Sequence, residues 1–151
     1  MVELGKQANA ALISVKGEAN SLAAAQYRLE KPFQMNGHQA VFVALGDDTP
    51  SQSLVQRLEK APFLAVQASY VSRLTAQADV VLPVEMWAEQ EGHYLNMEGR
   101  LQQAARALTA PEGVRSNAEA IQALAEKLGI QPDANWEAAL CARPAPVKIA
   151  A

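Results

Sequence analysis

Cysteine is almost absent from this chain of 151 residues, and Cys141 is the only one. A single cysteine cannot form an internal disulfide or supply the thiolates that hold an iron–sulfur cluster, and such usage is typical of a reducing compartment. Aromatic residues are scarce as well, with three Phe, three Tyr and two Trp. We therefore expect a core built mainly from Ala, Val, Leu and Ile, and a structural role for Cys141.

The sequence also lacks a basic field and long apolar runs. The net charge is −3 and no segment is rich in Lys and Arg, which argues against nucleic acid as a partner. The apolar stretches are too short to cross a bilayer, and the start of the chain, with Glu3 and Lys6, does not resemble a secretory signal. We expect a cytoplasmic protein with no direct membrane insertion.

Short apolar segments alternate with segments that have helix-capping signals. The predicted strands are residues 12–15, 40–45, 63–66 and 79–82. Strands that alternate with helices favour βαβ units with right-handed crossovers. We predict one α/β domain over residues 1–140, with a parallel sheet flanked by helices in a Rossmann-like, three-layer arrangement. Residues 141–151 are predicted to form an extended tail, because prolines interrupt this segment. The tail is either a frayed end or an arm that docks on a partner.

Capping residues predict where the first helices begin. Asn20 or Ser21 is the predicted cap of a helix that continues to Leu29. Thr49 is the predicted cap of the second helix, because Pro50 then occupies the first helical position and a Gln follows at position 52. A short helical turn is predicted over residues 72–77.

The last predicted helix has signals at both ends. Ser116 is its predicted cap, Glu119 completes a capping box, and Gly129 ends the helix. The apolar residues at helical spacing are predicted to form its buried stripe: Ile121, Leu124, Ala125 and Leu128.

The turn over residues 46–50 is the first candidate binding site. It follows a predicted parallel strand, where open α/β sheets bind ligands and where helix N-termini favour anions. However, Asp47 and Asp48 would repel a phosphate, and no Gly-rich nucleotide-binding pattern or P-loop accompanies them. The pattern favours helix capping; alternatively, the carboxylates accept hydrogen bonds from a sugar or a guanine edge.

A second candidate is a group of titratable residues close to Trp87 in the sequence. The group comprises Glu85, Glu89, Glu91 and His93. Carboxylates and an imidazole can perform acid–base chemistry or bind a metal. Their spacing matches no metal motif, so a solvated surface is predicted, and His38 is expected to be isolated in a polar loop.

Residues 78–102 read ADVVLPVEMWAEQEGHYLNMEGRLQ. The order ADVVLP, then W-x-E, then G-x-Y-x-N-x-E-G-R-x-Q resembles the signature of the molybdopterin oxidoreductases. The resemblance is greatest to the large iron–sulfur subunit of NADH:quinone oxidoreductase, which is complex I. Weaker similarities at residues 17–21, 45–48 and 111–115 extend it over about residues 10 to 130, which is one α/β domain of these much longer proteins.

The resemblance implies a set of cofactor contacts. In cofactor-bearing members the matching domain helps to hold the guanine-nucleotide ends of a bis-molybdopterin cofactor. If such a pterin dinucleotide is bound here, the matching positions are Asp47, Asn96 and Arg100. Alternatively, Arg100 forms an internal ion pair with Glu98 or Asp79 that fixes the loop.

The chain also departs from the family pattern. A Thr-Glu-Thr-Ala run usually precedes ADVVLP, and residues 72–75 here read Ser-Arg-Leu-Thr, so that the apolar Leu74 replaces a hydroxyl. An Asn-Pro pair has become Asp47-Asp48, which adds negative charge where the cofactor is anionic. Nothing in the chain resembles the family's cysteine-rich cluster domain or its metal-ligating residue.

Three functions remain open at this point. The first is a small non-catalytic structural subunit of an NADH-linked electron-transfer complex, without a cofactor of its own, which packs against iron–sulfur and flavin subunits and which a membrane-associated complex could include. The second is the nucleotide-binding part of a split molybdenum or tungsten enzyme such as formate dehydrogenase, sharing bis-molybdopterin guanine dinucleotide with a partner. The third is an independent small-ligand binding module. The acidic turn and Leu74 favour the first.

Overall fold

The computed structural model describes residues 19–29, 33–35, 37–96, 99–131 and 135–141. The chain divides into two compact units. The sheet unit comprises residues 32–92 and 104–133, and the hairpin unit comprises residues 1–31, 93–103 and 134–151. One domain over residues 1–140 stays a prediction. Within the described ranges, no helix is long and apolar enough to cross a membrane.

Among the described residues, helices and strands alternate as far as Pro83, and two more strands and then two helices follow. In chain order the elements are α1 (Ser21–Gln26), β1 (Val41–Gly46), α2 (Gln52–Leu58), β2 (Leu64–Ala68), α3 (Arg73–Ala76), β3 (Val80–Pro83), β4 (Gly92–Leu95), β5 (Leu101–Ala104), α4 (Asn117–Leu128) and α5 (Trp136–Cys141). The strands β1, β2 and β3 form a parallel sheet with β2 in the middle. This confirms the predicted α/β class with a parallel sheet.

The core of the sheet unit lies around β2. Its buried members are Val41, Leu58, Leu64, Val66, Ala68 and Leu74. Val66 on β2 and Leu74 on α3 have no exposed surface. Full burial of such a side chain contributes about 1.5–3 kcal/mol, so these contacts hold the crossover helices against the sheet. The predicted inward face of α2 is confirmed, because Leu58 is buried and Leu54 packs against the core.

The predicted start of α2 is wrong by two residues. The cap is Ser51, not Thr49, and Ser51 Oγ accepts a hydrogen bond from the backbone amide of Leu54 at 3.3 Å. Thr49 and Ser51 both carry a hydroxyl that can cap a helix, and the second of the two is the one that accepts from the first turn. The turn at α3 is confirmed, with a reciprocal capping box between Ser72 and Thr75.

Both ends of α4 are confirmed. Ser116 Oγ accepts from the Glu119 amide at 3.2 Å, and Glu119 Oε2 accepts from the Ser116 amide at 2.9 Å. Hydrogen bonds from the backbone and hydroxyl of Ser116 lower the pKa of Glu119, because they favour its charged form. Gly129 ends the helix with a φ of 69°, a conformation that glycine adopts readily.

The predicted buried stripe of α4 is wrong at two of its four positions. Ile121 is 46% exposed and Leu128 is 63% exposed, whereas Ala120 is buried. Leu124 and Ala125 are partly buried. Periodicity identifies the apolar side of a helix, but burial also requires a neighbouring element that covers it. Part of the apolar side of α4 is therefore left uncovered in the sheet unit.

Asn20 organises the hairpin unit in a way that the sequence did not predict. It occupies the cap position of α1 with a φ of 61°, but its side chain does not cap the helix. Instead Nδ2 donates to the carbonyl of His93, and Oδ1 accepts from the amide of Leu95, both at 2.8 Å. An amide side chain carries both a donor and an acceptor, so it can pair with the edge of β4. The helix ends at Gln26, short of the predicted Leu29.

The helix α5 is attached to the same unit through aromatic side chains. Tyr27 donates its hydroxyl to the carbonyl of Trp136 at 2.7 Å. The His93 ring meets the Trp136 ring edge-on, with centroids 5.2 Å apart, and His93 Nε2 lies 3.8 Å from a carboxylate oxygen of Glu137. Cys141, the first residue of the predicted tail, is the last residue of α5. Residues 142–151 and the predicted strand 12–15 lie outside the described residues.

Candidate functional site at the strand ends

A buried carboxylate lies at the carboxyl end of β3, on the edge where open α/β sheets bind ligands. The side chain of Glu85 is only 6% exposed, and its Oε1 lies 3.1 Å from Nη2 of Arg106. The Arg106 side chain is half exposed. Loss of the cation from a buried carboxylate strongly destabilises a folded chain. This ion pair therefore holds the segment after β3 in place.

Three side chains converge on the backbone carbonyl of the same Glu85. The donors are Gln90 Nε2 at 3.0 Å, Ser69 Oγ at 3.2 Å and, most distant, Asn117 Nδ2 at 3.5 Å. Ser69 follows β2 and Asn117 is the first residue of α4. Hydrogen bonds from the chain itself therefore connect the end of β2, the end of β3 and the start of α4.

Gln67 on β2 extends this network into the sheet. Its side chain is fully buried and Nε2 donates to both the side-chain and backbone oxygens of Asn117. Its Oε1 has no hydrogen-bond partner among the described residues. A buried acceptor of this kind costs about 1–3 kcal/mol when unpaired, so Gln67 Oε1 is the position at this edge that best suits an added donor.

Asp47 is also engaged by the chain. It follows Gly46, which ends β1 with a φ of 61°, and its Oδ2 accepts from the backbone amide of Trp87 at 3.3 Å. A Cβ on Gly46 would lie 3.8 Å from the Asn117 side chain, so that side chain covers the end of β1. The predicted cofactor residue Asp47 thus connects the turn after β1 to the segment after β3.

A polar groove runs beside the turns that follow β1 and β2. It has a volume of about 640 Å³. Its lining comprises Thr49, Pro50, Gln52, Val55, Gln56, Glu59, Val71, Ser72, Arg73 and Gln77. The sequence signalled the turns but not this groove, because helix pairs form grooves only through tertiary packing. Arg73 is the cation that lines it.

The other two predicted cofactor residues lie together in the hairpin unit. Asn96 and Arg100 are the two ends of the turn between β4 and β5. The Asn96 amide donates to the Arg100 carbonyl at 3.0 Å, and Asn96 Oδ1 accepts from the Arg100 amide at 2.9 Å. Gly99 has a φ of 83°, which favours glycine at this point of the turn. Asn96 and Gly99 therefore shape the turn itself.

Of the two acidic residues predicted as ion-pair partners of Arg100, the structure describes only Asp79. Asp79 Oδ2 accepts a hydrogen bond from the backbone amide of Leu64 at 2.7 Å, so its carboxylate joins β3 to the start of β2. Glu98, the other predicted partner, lies outside the described residues.

The titratable cluster around Trp87 does not form a single solvated surface, so that prediction is wrong for Glu85. Glu89 instead accepts from the amide of Met86 at 3.0 Å, and His93 packs on Trp136 in the hairpin unit. No pattern in the sequence links Glu85 to Arg106, which is 21 residues further on. His38 is not isolated either, because its ring stacks on Phe33. In the described ranges, no three His, Cys, Asp or Glu side chains are grouped as metal ligands.

The position where the family usually has a hydroxyl is part of the core. Leu74 is fully buried, and packs with the members of the hydrophobic core around β2. The hydroxyls on either side, from Ser72 and Thr75, are used in the capping box of α3. The first turn of α3 therefore presents Arg73, rather than a series of hydroxyls, to the polar groove.

Comparisons with known proteins agree with this architecture. A family model described as molybdopterin oxidoreductase matches residues 2–127. The F420-dependent formate dehydrogenase 2 subunit alpha of Methanococcus maripaludis is 32% identical over 109 residues, which is 68% of this chain and 16% of that protein. An NADH-quinone oxidoreductase subunit of Rickettsia felis is 34% identical over 100 residues, which is 66% of this chain and 14% of that protein.

A nitrate reductase of Symbiobacterium thermophilum is 34% identical over 84 residues, which is 56% of this chain and 11% of that protein. The chain thus spans between about a tenth and a sixth of the length of these relatives. They are named for different reactions, and what they share with this chain is one α/β segment. Since the family model matches more than half of the sequence, the chain belongs to the molybdopterin oxidoreductase family.

Proposed function

We propose that this chain is a small, non-catalytic structural part of a multi-subunit NADH-linked oxidoreductase. In this proposal it is a reduced relative of the complex I large subunit and packs against iron–sulfur and flavin subunits. The similarity to the NADH-quinone oxidoreductase subunit of Rickettsia felis supports this assignment.

The observation that carries the proposal is the internal network at the strand ends. Asp47, Ser69 and Asn117 each hydrogen-bond to the segment that follows β3. A ligand-binding edge usually leaves such polar groups available for the ligand. Here they connect the turns to one another, and the buried Glu85–Arg106 pair reinforces them. A rigid edge of this kind suits a module that holds neighbouring subunits in place.

Two of the three residues that match the family's cofactor contacts, Asp47 and Asn96, argue against a pterin dinucleotide at this site. The first turn presents the carboxylates of Asp47 and Asp48, which would repel an anionic diphosphate. Asp47 already accepts from Trp87, and Asn96 already accepts from Arg100 within its own turn. Leu74 is committed to the core. This donor set supports a role without a cofactor held by these residues.

The test is native mass spectrometry of the complex captured through a tag on this chain in its own host, with parallel analysis of pterin, molybdenum and tungsten. We expect partner subunits that carry flavin and iron–sulfur clusters, and no additional mass on this chain. A pterin dinucleotide with molybdenum or tungsten bound in part by this chain would contradict the non-catalytic role. Recovery of the chain alone would contradict the role in a complex and favour a small-ligand binding module.

The polar groove supports one alternative function. A groove of about 640 Å³ lined by Arg73, Ser72 and Gln52 is large enough for part of a nucleotide, and Arg73 offers a planar cation to a phosphate. This favours the nucleotide-binding part of a split molybdenum or tungsten oxidoreductase such as a formate dehydrogenase. If so, Arg73→Ala lowers the pterin content of the captured complex, whereas Arg57→Ala, at another exposed arginine, leaves it unchanged.

A further inference from the structure

Most of the outer edge of β3 is unpaired among the described residues. Among the described residues the sheet ends at β3, whose other side pairs with β2. Only the last part of this outer edge is paired, where Val84 bridges Arg115 in parallel and the Glu85 amide donates to the Arg115 carbonyl at 2.9 Å. Val80 and Val81 are 40% and 43% exposed. Apolar edge strands of this kind are templates for pairing with another chain.

The helix α4 continues the apolar surface beside this edge. Leu82 and Pro83 of β3 and Ala123 and Leu124 of α4 line a groove of about 360 Å³. On the same helix, Ile121 and Leu128 are exposed, although their spacing predicts a buried stripe. An exposed apolar groove next to an unpaired strand edge indicates a surface that another segment covers.

The charged residues that line the groove are of one sign. Its lining includes Arg115 and Lys127, and none of its lining residues is acidic. Arg115 also contributes to the lowered pKa of Glu119, so part of its charge is already offset within the chain. Lys127, in the last turn of α4, is therefore the better cation for an incoming carboxylate.

We propose that the groove between β3 and α4 docks an extended segment of a partner protein that alternates apolar and acidic side chains. Its backbone continues the sheet along the outer edge of β3, its apolar side chains enter the groove, and a carboxylate reaches Lys127. Strand addition of this kind takes its affinity from main-chain hydrogen bonds and its specificity from pockets for alternate side chains. This inference deepens the proposed structural role and rests on it.

The charge pattern argues against a second copy of this chain as the occupant. A symmetric pairing of two β3 edges would bring Arg115 and Lys127 of each copy into one interface. Like charges in a shared interface oppose association, whereas an acidic segment is attracted to the same two cations. The partner segment is therefore expected to carry Asp or Glu at alternate positions.

Zero-length carbodiimide cross-linking of the complex captured from the host tests this proposal, because the reagent joins a lysine amine to a carboxylate in direct contact. We expect Lys127 to be linked to an Asp or Glu of a partner subunit. The matched control is Lys60, an exposed lysine that does not line the groove. Lys127→Glu should reduce co-purification of that subunit, whereas Lys60→Glu should not.

The outcomes separate this proposal from the proposed function. If partner subunits are captured but Lys127 is linked only within this chain, to a second copy or to nothing, the docking site is overturned. The structural role then still stands. If the chain is recovered alone, the structural role fails, and a labelled peptide of alternating Leu and Glu is then titrated onto the full chain. Binding that Lys127→Glu weakens about tenfold would support the groove, and no binding, or equal binding of a Leu-Lys peptide, would overturn it.

Discussion

Replacing Arg106 by Ala removes the cation from the buried carboxylate of Glu85. The Glu85 side chain is 6% exposed and the two groups are 3.1 Å apart. Removal of one partner from a fully buried pair costs about 3–5 kcal/mol, and an exposed pair contributes about 0–1 kcal/mol. Because half of the Arg106 side chain is exposed, we expect a value between these limits, about 2 kcal/mol.

The assay is urea unfolding of the full chain, followed by far-ultraviolet circular dichroism and extrapolated linearly to water. A double-mutant cycle isolates the pair, because Glu85→Gln keeps the shape of the side chain but removes its charge. In the Glu85→Gln background, Arg106→Ala should cost less than about 0.5 kcal/mol, which corresponds to a coupling of at least about 1.5 kcal/mol. The matched control is Arg57→Ala, which removes an exposed arginine that donates to the carbonyl of Phe33.

Two results would refute this reasoning. If Arg106→Ala destabilises the chain no more than Arg57→Ala does, Glu85 does not depend on its cation. If the cost of Arg106→Ala is the same with and without Glu85→Gln, the arginine acts through packing of its aliphatic part, not through its charge.

Three further predictions concern single positions. Leu74→Ala should lower the free energy of unfolding by about 2–5 kcal/mol in urea unfolding, because it opens a cavity in the core. Leu74→Thr, which restores a hydroxyl at this position, should also destabilise the chain, because it buries an unpaired donor. Asn20→Gly should cost about 2 kcal/mol of unfolding free energy, because two hydrogen bonds to β4 are lost. Asn20→Ala should cost about 1 kcal/mol more, because alanine is disfavoured at the positive φ of this position. Equal costs in the two variants would contradict the role assigned to the positive φ. The lowered pKa of Glu119 means that its capping contribution is present above the ordinary carboxyl pKa and is lost as the pH falls through the lowered value. Helix content measured between about pH 5 and pH 2 should therefore decrease less in Glu119→Gln than in the native chain, and identical acid profiles would refute the capping box as the cause.

The fold class could be predicted because its signals are local. The apolar strand 40–45 and the capping residue Ser116 can be predicted from residues within four or five positions along the chain. Where two local signals competed, the prediction failed by a few residues, as at Thr49 and Ser51. The signature over residues 78–102 pointed to the family because the order of its residues is far more specific than its composition.

The candidate site was predictable only in part. Asp47 lies at a strand end as expected, and Asn96 and Arg100 lie at the two ends of one turn. Their contacts with Trp87 and with each other follow from backbone geometry that no sequence pattern records. The polar network on Glu85 was missed because its partners come from the ends of three different elements.

The sequence by itself determined the strands β1 to β3, most of the helices between and after them, the parallel α/β class and the family, because periodicity, capping and residue order are properties of neighbours along the chain. Only the tertiary structure decided which polar groups are buried and which apolar groups are not. Glu85 is buried because the end of β3 places it in contact with Gln90 and Arg106. Ile121 and Leu128 are exposed because no described element of the sheet unit covers that side of α4. Burial depends on what packs against a residue, and that is set by distant parts of the chain.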